Sequence, residues 1–457
     1  MTALHPSLRL FASMVLLAAL AAAPARAQQA RTITFDEAIR IALEQNYGLK
    51  RSANAVALQS IDAARERNDF LPSLTLSSNG RQSYGRTFSQ EDLEFVNETT
   101  ESFSASVNTG VNLFNGFADV ASLQRARYAL EASDLDYERQ RQTVVFQVMS
   151  NYLDLIQRRE QVVIQEENLA AQRQLLAQIE EFVRVGSRPM SDQFQQQANT
   201  ANAELALLQA RRLAQLAEVA LIQVLQLDPI GVYQFTVPEI DEAALVPETY
   251  SVPSLLETAF NQRLDLQAQQ VSIRAAEEGI RVARSSMWPS LGLNFGYGTG
   301  WNSQFRIAGE PVPLFDQFDQ QRGGSVSLSL SMPIFDRFAT RTSVQQARVQ
   351  FENARLDLEN LQQDVALQVR QAYLDYLTDE LRLDVTEAQL RAAEQALEAE
   401  QERYNVGAST LVELSQTRAS FVQAQSDRAD AVYSFLFRKR LLEYYLGVLD
   451  PARRLFE

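Results

Sequence analysis

The stretch Leu383-Asp-Val-Thr-Glu-Ala-Gln-Leu-Arg-Ala-Ala-Glu-Gln-Ala-Leu-Glu-Ala-Glu-Gln-Glu-Arg-Tyr404 decides the fold of this chain. Leu383, Leu390, Leu397 and Tyr404 recur every seven residues, which is the spacing of a coiled-coil seam. The stretch belongs to a longer run, Ile334 to Val406, that holds 73 residues (406 − 334 + 1) without Gly or Pro. At 1.5 Å per residue such a helix is about 110 Å long. The usual globular helix has only about 11–12 residues.

A different pattern stands immediately before this helix. Residues 325–332 alternate strictly between Ser and an apolar residue, as expected for a strand with two unlike faces. Similar alternation predicts strands at about 73–84, 102–114, 290–301 and 325–333. Residues 85–101 are polar and acidic and are predicted to form a loop. Strands of roughly ten residues suit a bilayer when tilted by about 45°.

The chain contains an internal duplication. Pro72 corresponds to Pro289 at an offset of 217, and Gly186 corresponds to Gly407 at an offset of 221. We therefore predict a first repeat over 28–228 with long helices at about 117–185 and 189–227, and a connecting segment over 229–250. The second repeat covers 251–450 with long helices at about 336–406 and 409–446, followed by a tail, 451–457.

Composition excludes several kinds of protein. The formal net charge of −15 argues against a nucleic-acid partner. The chain has no Cys and a single His, His5, so Cys nucleophiles, His bases and Cys- or His-ligated zinc are excluded. An enzyme built on carboxylates alone or on a Ser–Lys pair is left open, but no motif indicates one. We expect no catalytic residue, no cofactor and no metal.

Residues 1–27 have the pattern of a cleaved secretory signal. Arg9 precedes the apolar run Leu10 to Ala23, and Ala25-Arg-Ala27 offers small residues at the cleavage positions. A membrane anchor is the alternative, although the run is short for one. No later run has about 18 apolar residues, so an exported chain of this kind enters a membrane through its strands.

Four strands cannot close a barrel, and an open sheet edge cannot face lipid. The strands must then be shared between chains: a dimer gives eight and a trimer gives twelve, which leaves room for a channel. A soluble sheet that caps a coiled coil is the alternative. The four-fold recurrence of apolar and small polar alternation favours the membrane wall.

The duplicated halves, Phe114-Asn-Gly-Phe117, Phe335-Asp-Arg-Phe338 and Arg403-Tyr-Asn-Val-Gly407 resemble the TolC family of outer membrane efflux proteins. The resemblance covers nearly all of the chain after residue 27. It implies a mainly α protein with long antiparallel coiled-coil helices in a periplasmic tunnel, and four strands per chain in a shared twelve-stranded trimeric barrel in the outer membrane. It also implies partners: a homotrimer, a periplasmic adaptor protein, an inner-membrane transporter and outer membrane lipid.

The resemblance further implies an adaptor-docking site at the two helix breaks. The matching residues in this sequence are Val185, Gly186 and Ser187 in the first repeat and Arg403, Tyr404, Val406, Gly407 and Ala408 in the second. A Gly lets the chain reverse and leaves the backbone open to a partner helix. The alternative is that each Gly only ends a helix. The first repeat lacks the Arg-Tyr pair.

Six residues after each Gly stands a carboxylate, Asp192 or Glu413. The resemblance implies that these form an acidic ring at the tunnel entrance, which attracts cations. The alternative is that they only favour the helix macrodipole. Where the family carries an arginine of the closed entrance, this chain has Ser409, and Arg188 lies in the first repeat.

The predicted function is the outer membrane exit duct of a tripartite efflux or type I secretion system. A structural or adhesive trimeric coiled coil of the cell envelope is the alternative from another class. The sequence does not identify the exported substrate.

Overall fold

The computed structural model describes residues 31–89, 94–237, 245–307 and 309–449. Long helices make up most of it, and a four-stranded sheet stands at one end of them. The predicted signal at residues 1–27 and the predicted tail at 451–457 lie outside the described residues.

The described elements form two similar series separated by a connecting segment. In chain order they are β1 (Arg31–Ile33), α1 (Phe35–Gln45), α2 (Tyr47–Asn68), β2 (Ser73–Ser89), β3 (Glu94–Asn115), α3 (Ala118–Arg184), α4 (Met190–Leu225), β4 (Tyr233–Phe235), α5 (Val252–Gln262), α6 (Leu264–Ser285), β5 (Ser290–Asn302), β6 (Arg306–Ile307), β7 (Glu310–Pro311), α7 (Leu314–Gln320), β8 (Gly323–Ser331), α8 (Ala339–Asn405) and α9 (Leu411–Leu446).

The helices of the two series have equal lengths. Helices α3 and α8 each have 67 residues, and α4 and α9 each have 36. At 1.5 Å per residue the longer pair measure about 100 Å. In the heptad seam of α8, Leu383 and Tyr404 are buried while Leu390 and Leu397 are half-buried, so the seam faces a neighbouring helix. Among the described residues, none of the helices combines the length and the hydropathy that crossing a bilayer requires.

Helix α8 begins at Ala339, whereas the sequence predicts a start near residue 336. The reason is conformational: Arg337 and Phe338 both have positive φ angles, 58° and 64°, which a right-handed helix excludes. Asp336 precedes them, and its carboxylate accepts a hydrogen bond from the Thr340 amide at 2.8 Å. The Asp336 side chain in this turn therefore caps the first turn of the helix, and the helix begins only after Phe338.

The sheet is antiparallel in the order β2-β3-β5-β8. Its register aligns the apolar positions of all four strands. Val107 lies opposite both Leu76 and Tyr297, and Phe295 lies opposite Val326. Because side chains alternate along a strand, one face of the sheet is apolar and the other carries Ser, Asn, Thr and Gly.

The predicted loop at residues 85–101 is wrong. Strand β2 continues to Ser89 and β3 already begins at Glu94, so most of this segment is a long hairpin. Polar composition misled the prediction, because backbone pairing satisfies the main chain whether or not a face is apolar. Near the tip, the Phe88 and Phe95 rings meet edge to face at 5.3 Å and Arg86 stacks on Phe95 at 5.1 Å.

The described parts of the connecting segment, residues 229–237 and 245–250, pack against the middle of the long helices. Strand β4 pairs in parallel with β1. The buried Tyr152 hydroxyl on α3 donates to the Thr236 carbonyl at 2.6 Å, and the Tyr376 hydroxyl on α8 accepts from the Glu248 amide at 2.8 Å. These contacts place the main apolar core midway along the helices, beneath α1.

Candidate functional site at the helix tips

The break after α3 is a Schellman turn. Gly186 has a φ of 78°, its amide donates to the Val183 carbonyl at 3.0 Å, and the Ser187 amide donates to the Phe182 carbonyl at 2.9 Å. A left-handed residue is required here, and Gly adopts that conformation without strain.

The break after α8 has the same geometry. Gly407 has a φ of 78°, its amide donates to the Tyr404 carbonyl at 3.1 Å, and the Ala408 amide donates to the Arg403 carbonyl at 2.8 Å. Both glycines are open to solvent: a Cβ built on either one has no neighbouring heavy atom within 4 Å. The two turns thus present accessible backbone at one end of the molecule.

Exposed apolar residues flank both turns. Val185 is 60% exposed and Val406 is 78% exposed. Arg403 is exposed as well, and its guanidinium donates to the Ala408 carbonyl at 3.3 Å and to Glu400 at 2.8 Å. Of the predicted docking residues, Tyr404 alone is buried, at 2% exposure.

Arg188 joins the two tips. Its guanidinium lies 4.5 Å from the centre of the Tyr404 ring and donates to the Tyr404 carbonyl at 3.0 Å. The Tyr404 hydroxyl is buried and has no hydrogen-bond partner within the part of the chain that the structure describes. Burial raises the pKa of Tyr404, and Arg188 opposes that shift. The cation–π contact therefore holds a neutral tyrosine between the helices.

Glu413 closes a capping box at the start of α9. Its carboxylate accepts from the Thr410 amide at 2.8 Å, while the Thr410 hydroxyl accepts from the Glu413 amide at 3.3 Å. Ser409 is buried, and its hydroxyl lies between the Glu413 and Glu400 carboxylates, which share its one proton. The hydrogen bonds from Thr410 and Ser409 lower the pKa of Glu413. This carboxylate is ionised and already engaged at its own helix start.

Asp192 has fewer contacts. It lies in the first turn of α4, half-buried, and its amide donates to the Pro189 carbonyl at 3.1 Å. Pro189 stands at the N-cap of α4 and provides no side-chain cap. The first repeat therefore has no counterpart of the capping box that Thr410 and Glu413 form in the second. The two carboxylates occupy equivalent positions in different environments.

A cavity of about 670 Å³ brings the two acidic residues together. Asp192 and Glu413 both line it, together with Arg188, Gly407 and Ala408. Val185, Gly186 and Val406 are not part of its lining. The arrangement can attract cations to the cavity through two carboxylates, and the guanidinium of Arg188 offsets part of that charge.

The contact between Ser409 and Glu400 was not predicted from the sequence. Ser409 and Glu400 are nine positions apart, and only the turn geometry brings them together. The capping box was visible as Thr410-x-x-Glu413, since that spacing is its sequence signature.

The sequence also matches the family model described as "Outer membrane efflux protein" over residues 38–225 and 255–448. The chain belongs to the outer membrane efflux protein family. The match covers both repeats and both helix tips. The protein is accordingly an outer membrane efflux channel, with the mainly helical fold of that family.

The similarity to individual proteins supports the same family assignment. It is 25% identical to protein CyaE of Bordetella pertussis over 89% of this chain and 82% of CyaE. It is 24% identical to the outer membrane efflux protein BepC of Brucella suis over 90% of this chain and 86% of BepC. These similarities support a channel rather than the alternative of an adhesive coiled coil.

Solved structures share the fold. The Campylobacter jejuni CmeC outer membrane channel superposes with a TM-score of 0.78 at 18% identity, covering 92% of this chain and 87% of CmeC. The open-state MtrE outer membrane channel of Neisseria gonorrhoeae gives a TM-score of 0.73 at 20% identity, covering 93% and 90%.

Proposed function

We propose that three copies of this efflux protein form the outer membrane exit duct of a tripartite efflux or type I secretion system. An inner-membrane transporter delivers the substrate, and a periplasmic adaptor joins the transporter to the helix tips. The observation that carries the proposal is the sheet. It has one continuous apolar face, and among the described residues no further strand pairs with its two edge strands, β2 and β8.

The open edges require partners from other chains. Unpaired backbone groups cost several kcal/mol each in hydrocarbon, so β2 of one copy must pair with β8 of the next. Three copies give twelve strands, with the apolar face toward lipid and the Ser, Asn and Gly face toward the lumen. An eight-stranded barrel from two copies would be filled by side chains. Twelve strands leave a channel.

The tips are the proposed adaptor-docking site. Val185, Gly186 and Ser187, with Arg403, Tyr404, Val406, Gly407 and Ala408, surround the two Schellman turns. The open backbone at Gly186 and Gly407 and the exposed valines support this assignment, because a partner helix can approach closely only where side chains are small. Tyr404 is buried, so its role is to hold Arg188 rather than to touch the adaptor.

A pair of substitutions tests the docking site. Gly407→Trp places a bulky side chain at the tip, and we expect it to abolish efflux and adaptor crosslinking while the protein still assembles in the outer membrane. Gly407→Ala imposes the same positive φ strain without the bulk, so it should retain most transport. The assignment would be wrong if Gly407→Trp transported as well as Gly407→Ala and the double variant Gly186→Trp, Gly407→Trp did so too. Gly186 and Gly407 would then not belong to the docking site.

The proposed acidic ring consists of Asp192 and Glu413 from each of three chains. We expect cation-selective conductance in planar bilayers, with block by multivalent cations added from the tip side. Asn at 192 and Gln at 413 should weaken both effects. Glu413→Gln suits this test because Gln also forms a capping box, so the charge is lost while the helix start is kept. Unchanged selectivity and block in the double variant would leave the carboxylates as helix-start residues only.

We also propose that residues 1–27 are removed on export. Amino-terminal sequencing of protein from outer membranes should begin at Gln28. A chain that still carries Met1 in the outer membrane would contradict the cleavage.

A further inference from the structure

A second cavity, of about 440 Å³, lies at the other end of the helices, where β3 and β5 join α3 and α6. Phe117, Val120 and Gln124 line it from α3 and the preceding turn, and Arg281, Arg284 and Trp288 line it from α6 and the following turn. It is remote from the helix tips and plays no part in the docking site.

The cavity opens on the apolar side of the sheet. Asp119 on α3 lines a different cavity, with polar-face residues such as Ser73 and Ser290. At 100° per residue, Val120, Ala121 and Gln124 point about 100°, 160° and 140° away from Asp119. The cavity with the two arginines therefore lies on the opposite side of the wall, below the apolar face.

Other copies of the chain leave it uncovered. Strands β3 and β5 are the two central strands of the order β2-β3-β5-β8, and further strands can pair only at β2 and β8. The cavity lies beneath the middle of one chain's sheet, away from both edges, so it stays accessible after assembly.

Its charges are not balanced internally. The Arg281 guanidinium pairs with the buried Glu278 at 2.9 Å and approaches Glu277 at 3.7 Å. Arg284 is exposed and makes no ion pair with any residue that the structure describes. With Glu278 offset by Arg281, the lining keeps one unpaired positive charge, on Arg284.

Exposed aromatic residues stand beside this charge. Phe117 is 63% exposed and Trp288 is 58% exposed, at the points where the strands end. Aromatic rings at the ends of membrane strands lie at headgroup level. A guanidinium at the same level can make two parallel hydrogen bonds to a phosphate.

We propose that this cavity binds a phospholipid of the leaflet on the helical side of the membrane. Arg284 pairs with the lipid phosphate, and Phe117, Val120 and Trp288 contact its glycerol and the first acyl carbons. The inference rests on the membrane placement of the sheet in the proposed function.

Native mass spectrometry of the detergent-solubilised full-length protein, titrated with phosphatidylglycerol, tests the inference. We expect one tightly held lipid per chain. A basic residue near an anionic membrane surface contributes favourable binding free energy, so Arg284→Gln should weaken lipid binding about fivefold. Arg284→Glu should weaken it further. Arg284 is the residue to change because Arg281→Gln would leave the buried Glu278 without its partner.

Arg341 supplies the matched control. It is exposed on α8, 221 positions after Val120 and so at the equivalent depth in the second repeat, and it does not line the cavity. Arg341→Gln should leave the tight site unchanged. If Arg341→Gln and Arg284→Gln weakened the binding of the tight lipid equally, or if neither weakened it, the lipid site would be overturned. Any lipid that still bound would then be held elsewhere on the protein.

Two further outcomes are informative. Glycerol 1-phosphate at the same concentration should not displace the lipid; if it does, the site is one for free phosphate esters and the inference fails. If the wild-type protein fractionates away from membranes, the proposed barrel fails, and that result is distinct from loss of the lipid site alone.

Discussion

Gly116 and Arg337 occupy the same place in the two repeats, each at a turn from a strand into a long helix. Both have positive φ, 67° and 58°, and each is followed by a Phe that also has positive φ. Their surroundings differ. A Cβ on Gly116 would lie 2.3 Å from the Ser285 carbonyl oxygen, whereas Arg337 accommodates a full side chain. The sequence shows the paired motifs, but only the structure shows which of them needs Gly.

Gly116→Ala should therefore be strongly destabilising. The left-handed strain costs about 1–2 kcal/mol, and the overlap with backbone adds about 1–3 kcal/mol. Heating followed by circular dichroism should show an earlier loss of helix than in the wild type. Arg337→Ala, which keeps an L side chain at the same φ, is the control and should change little. Equal melting of the two variants would contradict the contact with Ser285.

The cap at Glu413 makes the second tip sensitive to acid. Its pKa is lowered in the folded chain, so the cap contributes fully above the ordinary Glu pKa of about 4.3 and is lost as the pH falls below it. Hydrogen-exchange protection factors, each corrected for the intrinsic exchange rate at its own pH, should be lower at the start of α9 in acid than at neutral pH. In Glu413→Gln the protection should vary less with pH. If the wild type and Glu413→Gln lost the same protection in acid, the loss would have to come from the titration of a group other than Glu413.

At the scale of elements, Tyr152 and Tyr373 correspond in the two repeats at the offset of 221, and each packs within or against a cluster of buried apolar residues. The structure adds a second role, since each hydroxyl donates to a carbonyl outside the long helices. Tyr152 donates to Thr236 at 2.6 Å and Tyr373 donates to Tyr250 at 3.2 Å. Periodicity places such residues on a buried face, but it cannot show that a distant connecting segment crosses that face.

Tyr152→Phe should cost about 1–3 kcal/mol, because it leaves the half-buried Thr236 carbonyl without the hydroxyl that donates to it. Tyr373 is only half-buried, so Tyr373→Phe should cost less. Thermal unfolding in detergent, monitored for both variants, measures the difference. A larger effect at Tyr373 would contradict the anchoring role of Tyr152.

The elements themselves were largely predictable for a physical reason. Long segments without Gly or Pro and with a seven-residue repeat can bury their apolar seams only as paired helices. Alternation of apolar and polar residues likewise predicts the four strands of the sheet, because it gives each strand one apolar face. The extension of the β2-β3 hairpin was not predictable, because residues 85–101 have no apolar face and their pairing follows from the register of the strands below them.

At the scale of the whole molecule, the duplication accounts for the shape. Two series of strand, strand, long helix and shorter helix give one sheet and two helix tips, at opposite ends of helices about 100 Å long. The offset of 221 between Gly186 and Gly407 predicts this arrangement from the sequence alone. The association of copies belongs to the proposed function, in which β2 of one chain pairs with β8 of the next.

The most direct test of the central claim is the mass of the particle extracted from outer membranes in mild detergent, measured by sedimentation or native mass spectrometry. Three chains per particle are expected, because twelve strands close the sheet and leave a channel. A stable single chain in the membrane, or a particle of two chains, would contradict the account.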